Sequence, residues 1–208
     1  MSRLGVLVSG NGSNLQALID ACASGRIKGS VAVVISNRAD AYALERASKA
    51  GIATQVLSHK AYPSREAFDA AIVEVLRRER VEWVLFAGFM RLVTPVLLDA
   101  FPDRVLNIHP SLLPAFPGVD AGRQAFEYGV KQTGCTVHLV THEMDTGPII
   151  AQTAVAVRED DSLDALMQRI HAAEHQTYVA VAAALCEGRI ELDHSFTRAR
   201  VRVRVRES

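Results

Sequence analysis

The stretch Val105-Leu-Asn-Ile-His-Pro-Ser-Leu-Leu-Pro114 begins as an apolar strand and ends in a proline-rich loop. Asn107 and His109 are two residues apart, so a strand places both side chains on the same face. An amide donor beside a titratable imidazole, where a strand gives way to a loop, suits acyl-type chemistry. A capped strand end with a hydrogen-bonded histidine is the alternative, and this stretch alone leaves both open.

Alternating strands and helices precede this stretch and predict a parallel sheet with right-handed crossovers. Short apolar runs predict strands at Leu4–Val8, Val31–Ile35, Ala53–Leu57 and Trp83–Phe86, with a fifth beginning at Val105. Helices are indicated by Leu15, Leu18 and Ile19 at helical spacing, by Ala41–Ala50, by an N-cap at Ser64, and by Pro95–Ala100.

The pattern changes after the central stretch. Two predicted strands, Gly134–Val140 and Ile149–Val157, are close enough in sequence to pair antiparallel, and Ser162 caps a last long helix. The sequence therefore predicts an α/β fold with a Rossmann-like, doubly wound, mostly parallel sheet and an antiparallel C-terminal extension. We expect one domain over residues 1–195 and a basic C-terminal tail over residues 196–208.

The bulk composition is that of an ordinary globular protein: 208 residues, 49% hydrophobic and 22% charged, with a net charge of zero. This balance gives no sign of binding to nucleic acid or to an anionic membrane. No apolar run approaches the length of a membrane span, and the chain enters a strand almost at once, so we expect no signal peptide. The three cysteines lack Cys-x-x-Cys spacing, which predicts reduced thiols in a cytoplasmic protein.

The segment Arg198–Arg206 places an arginine at every second position. One interpretation is a basic strand that meets an acidic partner or nucleic acid. The other is a solvated edge strand or frayed terminus, where charge blocks unwanted pairing. We favour the second, because charges in a terminal segment say little about an active site.

The segment Gly10-Asn-Gly-Ser-Asn-Leu15 lies between a predicted strand and a helix N-terminus. Backbone amides and the helix dipole favour an anion there, and glycine lets the backbone approach it closely. A dinucleotide fingerprint would need a third glycine where Leu15 stands. The pattern therefore indicates a site for a single phosphate, with Ser13 and Asn14 adding hydrogen bonds. A plain turn with one of them capping the helix is equally compatible.

A loop with a Gly-Pro turn, Met144–Pro148, joins the two antiparallel strands. If these strands extend the sheet beside the fifth strand, Asp145 can reach His109. A carboxylate beside an imidazole favours the cation and fixes the orientation of the ring. The alternative is that Asp145 serves only as a turn residue.

The segment His171-Ala-Ala-Glu-His175 matches the HxxEH pattern of inverted zinc peptidases. We reject a metal site, because a third ligand would have to come from the few residues that follow, most of them in the basic tail. A solvated helix face is one alternative, and a Glu174 that points at a ligand crevice is another.

Four separated motifs resemble those of the folate-dependent formyltransferases: Ser9–Gln16, Ala87–Arg91, Leu106–Pro114 and Gly134–His138. The Asn-Ile-His-Pro-Ser-Leu-Leu-Pro block is specific to that superfamily. The N-terminal Gly-Asn-Gly-Ser-Asn favours the members that formylate glycinamide ribonucleotide. The resemblance extends to about residue 195. It departs at Asp120–Gly122, where some members carry histidines, and in the arginine-rich tail.

The resemblance implies transfer of a formyl group from 10-formyltetrahydrofolate to the amine of glycinamide ribonucleotide in purine biosynthesis. It implies a catalytic trio of Asn107, His109 and Asp145, with His109 and Asn107 stabilising the formyl oxygen. Gly12, Ser13, Asn14 and Glu174 would bind the ribonucleotide. The folate would contact Arg65, Met90, Arg91, Leu92, Val93, Asn107, Thr141, His142, Glu143, Met144 and Asp145.

The same resemblance implies no metal, no nucleic acid or membrane partner, and a monomer or homodimer. Two other functions remain possible. A formyltetrahydrofolate hydrolase would use the same trio with water as acceptor, although it usually carries an extra N-terminal regulatory domain. A non-catalytic module that binds a phosphoryl ligand would not need an intact Asn–His–Asp set.

Overall fold

The computed structural model describes residues 1–193 and 202–205. Its contacts group into two compact units, Met1–Asn107 and Ile108–Ser208. The single domain expected over residues 1–195 stays a prediction. Of the basic tail, only Arg202–Val205 is described, as a strand, and the rest of Arg198–Arg206 lies outside the described residues.

The first unit alternates strands and helices along the chain. Its elements are β1 (Ser2–Val8), α1 (Ser13–Ala23), β2 (Gly29–Ser36), α2 (Tyr42–Lys49), β3 (Ala53–Val56), α3 (Arg65–Arg78), β4 (Trp83–Phe86), α4 (Pro95–Ala100) and the start of β5 (Val105–His109). A 3₁₀ turn at His59–Ala61 precedes α3. All strand pairs are parallel, in the order β3-β2-β1-β4-β5.

Helices α3 and α4 begin at the residues that the sequence predicted. The Ser64 hydroxyl accepts a hydrogen bond from the amide of Ala67 and begins α3, and Pro95 occupies the first turn of α4. The strands β1, β2 and β4 are apolar and almost entirely buried, as expected for a parallel sheet with both faces covered. The core of this unit therefore lies on these central strands.

The second unit begins within β5. Its further elements are α5 (Ala121–Tyr128), β6 (Gln132–Leu139), β7 (Ile149–Ala156), α6 (Leu163–Cys186), β8 (Ile190–Asp193) and β9 (Arg202–Val205). The strands β6 and β7 pair antiparallel, and β8 and β9 form a separate antiparallel pair. The Ser162 hydroxyl accepts from the amide of Ala165 and begins α6.

The strand pairings confirm the predicted α/β fold with a mostly parallel sheet and antiparallel strands at its C-terminal end. The strands β1, β2 and β6 begin two residues earlier than predicted, because polar and small residues extend a ladder before the apolar run begins. Strand β8 was not predicted, since Ile190-Glu-Leu-Asp193 contains no continuous apolar run. No helix among the described residues is both long and apolar enough to cross a membrane, and none of the three cysteines forms a disulfide.

Gly134 marks a close contact between two strands of the second unit. It pairs with Ala154 across β6 and β7, and a Cβ there would lie 2.0 Å from the carbonyl oxygen of Thr153. We expect Gly134→Ala to lower the free energy of unfolding by about 1–3 kcal/mol, measured by urea denaturation. Gly10→Ala is the control, because no atom lies within 4 Å of its Cβ position. Equal stability of the two variants would contradict the prediction.

Candidate active site

The predicted site residues belong to both units. Residues 12–14, 65, 90–93 and 107 lie in the first unit, and residues 109, 141–145 and 174 lie in the second. Asn107 and His109 are alternate residues of β5, so their side chains emerge on the same face of that strand. Asn107 is half-buried and His109 is buried.

His109 is held from both sides of its ring. Its Nε2 lies 2.8 Å from the carbonyl oxygen of Phe116, and its Nδ1 lies 3.5 Å from Oδ2 of Asp145. The side chain is only 5% exposed, so water does not replace these partners. Both partners only accept hydrogen bonds, and a ring protonated on both nitrogens satisfies both. The structure thus brings His109 and Asp145 together, as the sequence suggested.

Asp145 joins three groups through one buried carboxylate. Its Oδ2 accepts a hydrogen bond from the amide of Gly118 at 2.8 Å. Its Oδ1 lies 3.6 Å from Nε2 of His138. The residue itself has a left-handed backbone with φ of 56°. Asp145 is therefore more than a turn residue, because its carboxylate fixes the loop at Gly118 beside two imidazoles.

His138 is a site residue that sequence reasoning missed. Its Nδ1 donates to the carbonyl oxygen of Leu139 at 2.9 Å, which leaves Nε2 facing Asp145. Burial lowers the pKa of His138, and the hydrogen bond to Leu139 and the charge of Asp145 only partly oppose this effect. The residue lies within the Gly134–His138 motif. Every residue from 133 to 139 is buried, so no alternation along β6 singles it out.

The carbonyl that meets His109 belongs to a loop fixed by Thr136. The Thr136 hydroxyl donates to the carbonyl oxygen of Ser111 at 2.7 Å and accepts from the amide of Leu113 at 3.0 Å. The Ser111 hydroxyl donates to the carbonyl oxygen of Ala115 at 2.5 Å. The loop is therefore held by a buried threonine and a serine in addition to its prolines.

The loop between β6 and β7 folds upon itself. The hydroxyl groups of Thr141 and Thr146 lie 3.2 Å apart, and both donate to the carbonyl oxygen of Glu143. The side chains of His142, Glu143 and Met144 are exposed. This segment, which the resemblance assigns to folate, thus presents a polar and apolar surface on a closed turn.

The glycine loop ends at Gly12, which caps α1 in a left-handed conformation with φ of 76°. No side chain caps this helix, and Ser13 and Asn14 lie within its first turn. The alternative of a capping serine or asparagine is therefore wrong. Amides at the start of a helix lack intrahelical acceptors and carry the positive end of the dipole, which suits an anion.

The segment Met90–Val93 is fastened at both ends. The amide of Met90 donates to the Ser9 hydroxyl at 2.8 Å. The amide and hydroxyl of Thr94 donate to Oδ2 of Asp69 at 2.5 and 2.8 Å. Asp69 is 1% exposed, and burial raises its pKa although the bonds from Thr94 oppose the shift. A buried carboxylate thus secures the end of this segment.

Between these two ends the segment is open to solvent. Met90 is 69% exposed and Leu92 is 54% exposed, both high for large apolar side chains. Nη2 of Arg65 donates to the carbonyl oxygen of Leu92 at 3.3 Å. Arg65 and the segment therefore meet. Met90 and Leu92 thus present exposed apolar side chains on a segment whose two ends are fixed.

Glu174 lies on α6 and is buried, whereas His171 of the same motif is exposed. Burial raises the pKa of Tyr178 well above its usual value, and the charge of Glu174 adds to this effect. The solvated-face interpretation therefore fits His171 but not Glu174. Within residues 1–193 and 202–205, no group of three or more histidine, cysteine, aspartate or glutamate side chains is arranged to hold a metal ion.

Comparison with known proteins identifies relatives over most of the chain. A family model described as "Formyl transferase" matches residues 2–182. "Phosphoribosylglycinamide formyltransferase" of Escherichia coli (strain K12) is 47% identical over 187 residues, which cover 90% of this chain and 88% of the relative. "Trifunctional purine biosynthetic protein adenosine-3" of Drosophila pseudoobscura pseudoobscura is 47% identical over 188 residues, 89% of this chain and 14% of that protein.

A solved structure is also similar. "Glycinamide ribonucleotide transformylase 1" from Symbiobacterium toebii superposes with a TM-score of 0.92 at 55% identity, and the match covers 98% of this chain and 94% of that one.

The lowered pKa of His138 predicts a pH dependence of stability. The unfolded chain holds a proton on this histidine below its ordinary pKa of 6.5, whereas the folded chain does not until a lower pH. The free energy of unfolding should therefore fall as the pH drops below about 6.5. Urea denaturation at a series of pH values should show a shallower fall for His138→Gln. His142→Gln, at an exposed histidine, is the control, and identical profiles for both variants would refute the prediction.

Proposed function

This chain belongs to the formyl transferase family, and we propose that it transfers a formyl group from 10-formyltetrahydrofolate to the amine of glycinamide ribonucleotide. The products are N-formylglycinamide ribonucleotide and tetrahydrofolate, and the reaction is a step of purine biosynthesis. The observation that carries this proposal is the buried pair of His109 and Asp145, 3.5 Å apart, at the end of the strand that also carries Asn107.

The chemistry needs a donor for a developing oxyanion. The substrate amine attacks the formyl carbon, negative charge grows on the formyl oxygen, and the bond from carbon to the folate nitrogen then breaks. The Asn107 side-chain amide and the charged His109 ring stabilise that oxygen, as an oxyanion hole does. One such donor typically contributes about 2.7–4 kcal/mol to the transition state.

The contact between His109 and Phe116 sets a condition on the role of His109 as a donor. The Nε2 proton of His109 is already donated to the carbonyl oxygen of Phe116. Direct donation to substrate requires the formyl oxygen to replace that carbonyl as acceptor. The hydrogen bond from Nε2 then passes from the carbonyl oxygen of Phe116 to the formyl oxygen. The formyl oxygen is the stronger acceptor, because it gains negative charge during the reaction.

Asp145 has two tasks in the proposed mechanism. It keeps His109 in its cationic form, because the carboxylate lies beside Nδ1. It also orients a water molecule that carries the proton lost by the attacking amine to the departing folate nitrogen. The hydrogen bond from the Gly118 amide supports both tasks, since it fixes the carboxylate in place.

The binding roles follow the two units. In the first, Gly12, Ser13 and Asn14 bind the phosphate of the ribonucleotide, supported by the start of α1, where no side chain forms a capping hydrogen bond. Arg65 and Met90–Val93 contact the folate, supported by the exposed apolar side chains of that segment. In the second unit, Glu174 binds the ribose, and Thr141, His142, Glu143, Met144 and Asp145 contact the folate. These remote contacts position the amine, which lowers the entropic barrier.

A direct assay tests the reaction. The protein is mixed with a 10-formyl folate analogue, with and without glycinamide ribonucleotide, and deformylated folate is measured. Release only when the ribonucleotide is present supports the proposal. Release in its absence identifies a hydrolase instead, and no release in either case identifies a binding protein.

Replacement of Asp145 tests the mechanism. We expect Asp145→Asn to lower kcat by at least about a hundredfold, because it removes the charge beside His109, while folate affinity falls much less. Steady-state kinetics and folate titration measure the two effects. Asp160→Asn, at an exposed carboxylate, is the control and should behave as wild type. Near-normal turnover of Asp145→Asn would eliminate the proposed role.

A further inference from the structure

Arg46 lies on α2, yet its guanidinium group binds the glycine loop. Its Nε donates to the carbonyl oxygen of Asn11 at 2.9 Å, and its Nη2 donates to Oδ1 of the same residue at 3.0 Å. Its Nη1 donates to Oε1 of Gln16 at 3.3 Å. The Cζ atom lies 4.8 Å from the centre of the Tyr42 ring. Every guanidinium nitrogen therefore has a neutral partner, and the aromatic ring supports the group.

The backbone of α2 holds the same loop. The amide of Ala43 donates to the carbonyl oxygen of Gly10 at 3.1 Å. A Cβ on Gly12 would lie 2.6 Å from Cβ of Ala43, and the φ of Gly12 is +76°. Position 12 thus requires glycine both for its conformation and for the close approach of α2. The loop is set by α2 as well as by its own sequence.

The geometry of one peptide bond connects Arg46 to the anion site. The bond between Asn11 and Gly12 is trans, so its C=O and N–H point in opposite directions. Because Arg46 holds the carbonyl oxygen of Asn11, the Gly12 amide points away from Arg46. We propose that Arg46 is a positioning residue, which fixes this peptide so that the Gly12 amide is aimed at the phosphate of the ribonucleotide. The inference rests on the proposed function, in which Gly12, Ser13 and Asn14 bind that phosphate.

Two variants separate positioning from charge. Arg46→Lys keeps the positive charge but lacks the planar fork that spans the carbonyl and side-chain oxygens of Asn11. Arg46→Gln removes both. In steady-state kinetics we expect both variants to raise KM for the ribonucleotide at least about tenfold, because the Gly12 amide is no longer fixed. The kcat and the KM for folate should stay within about twofold of wild type.

Lys49 offers a matched control. It lies on the same helix, and its Nζ is 5.6 Å from the centre of the same Tyr42 ring, but it pairs with Glu45 at 3.9 Å. Lys49→Gln removes one positive charge without releasing Asn11 and should leave all constants unchanged. An Arg46→Lys variant that behaves as wild type would show that charge alone matters, and would overturn the proposal. If Arg46→Lys impairs kcat and both KM values to the same extent and also lowers Tm, the role of Arg46 is purely structural. That result would overturn the proposal too.

A second measurement separates this inference from the proposed function. Inorganic phosphate is titrated into the ligand-free protein, and the amide signals of Gly12 and Ser13 are followed by NMR. We expect shifts in wild type and at least about tenfold weaker binding in Arg46→Lys. This result would support the positioning role even if the wild-type protein formylates no ribonucleotide. Equal phosphate binding by both proteins, or none by wild type, would refute it.

Discussion

The candidate site in the second unit depends on the contacts of one buried group, the carboxylate of Asp145. A buried carboxylate is stable only when charged or hydrogen-bonding partners replace the water it has lost. Here the partners are the imidazole of His109 and the amide of Gly118, at 3.5 and 2.8 Å, while Nε2 of His138 lies 3.6 Å from the other carboxylate oxygen. The two imidazoles have different tasks, because a carbonyl oxygen fixes a proton on Nε2 of one and on Nδ1 of the other. His109 therefore meets Asp145 through Nδ1, and His138 meets it through Nε2.

This arrangement explains the properties of His138. Burial lowers its pKa and so favours the neutral form of the ring. In the proposed mechanism, a second cation beside Asp145 would compete with the charged His109 for the same carboxylate. A neutral imidazole fills the space and excludes water instead. In the proposed mechanism His109 carries the charge and His138 stays neutral, and the burial of β6 favours the neutral His138.

The sequence predicted the elements well because their patterns are local. Apolar runs, Ser64 and Pro95 determine the strands and helix starts, and Asp145 was identified from the turn between two predicted strands. The contacts of Phe116 and Arg46 were not predicted, because each depends on a loop conformation or on a distant partner. Arg46 and Asn11 are 35 residues apart, and no periodicity links the face of α2 to a glycine loop. Gly12 was predicted as part of the phosphate site. The close approach of Ala43, which requires glycine at this position, is visible only in the structure.

The two segments proposed to contact folate, one in each unit, share one feature: exposed side chains on a loop that a buried carboxylate holds. Met90 and Met144 are exposed on their loops, and a buried carboxylate holds each neighbourhood: Asp69 accepts from Thr94, and Asp145 accepts from Gly118. Exposed apolar side chains on a mobile loop would lose conformational entropy when they bind a ligand. Fastening the backbone in advance means that this loss has already occurred on folding, so more of the contact energy contributes to affinity. The two buried carboxylates would therefore support the proposed folate contacts by fixing the loops that carry them.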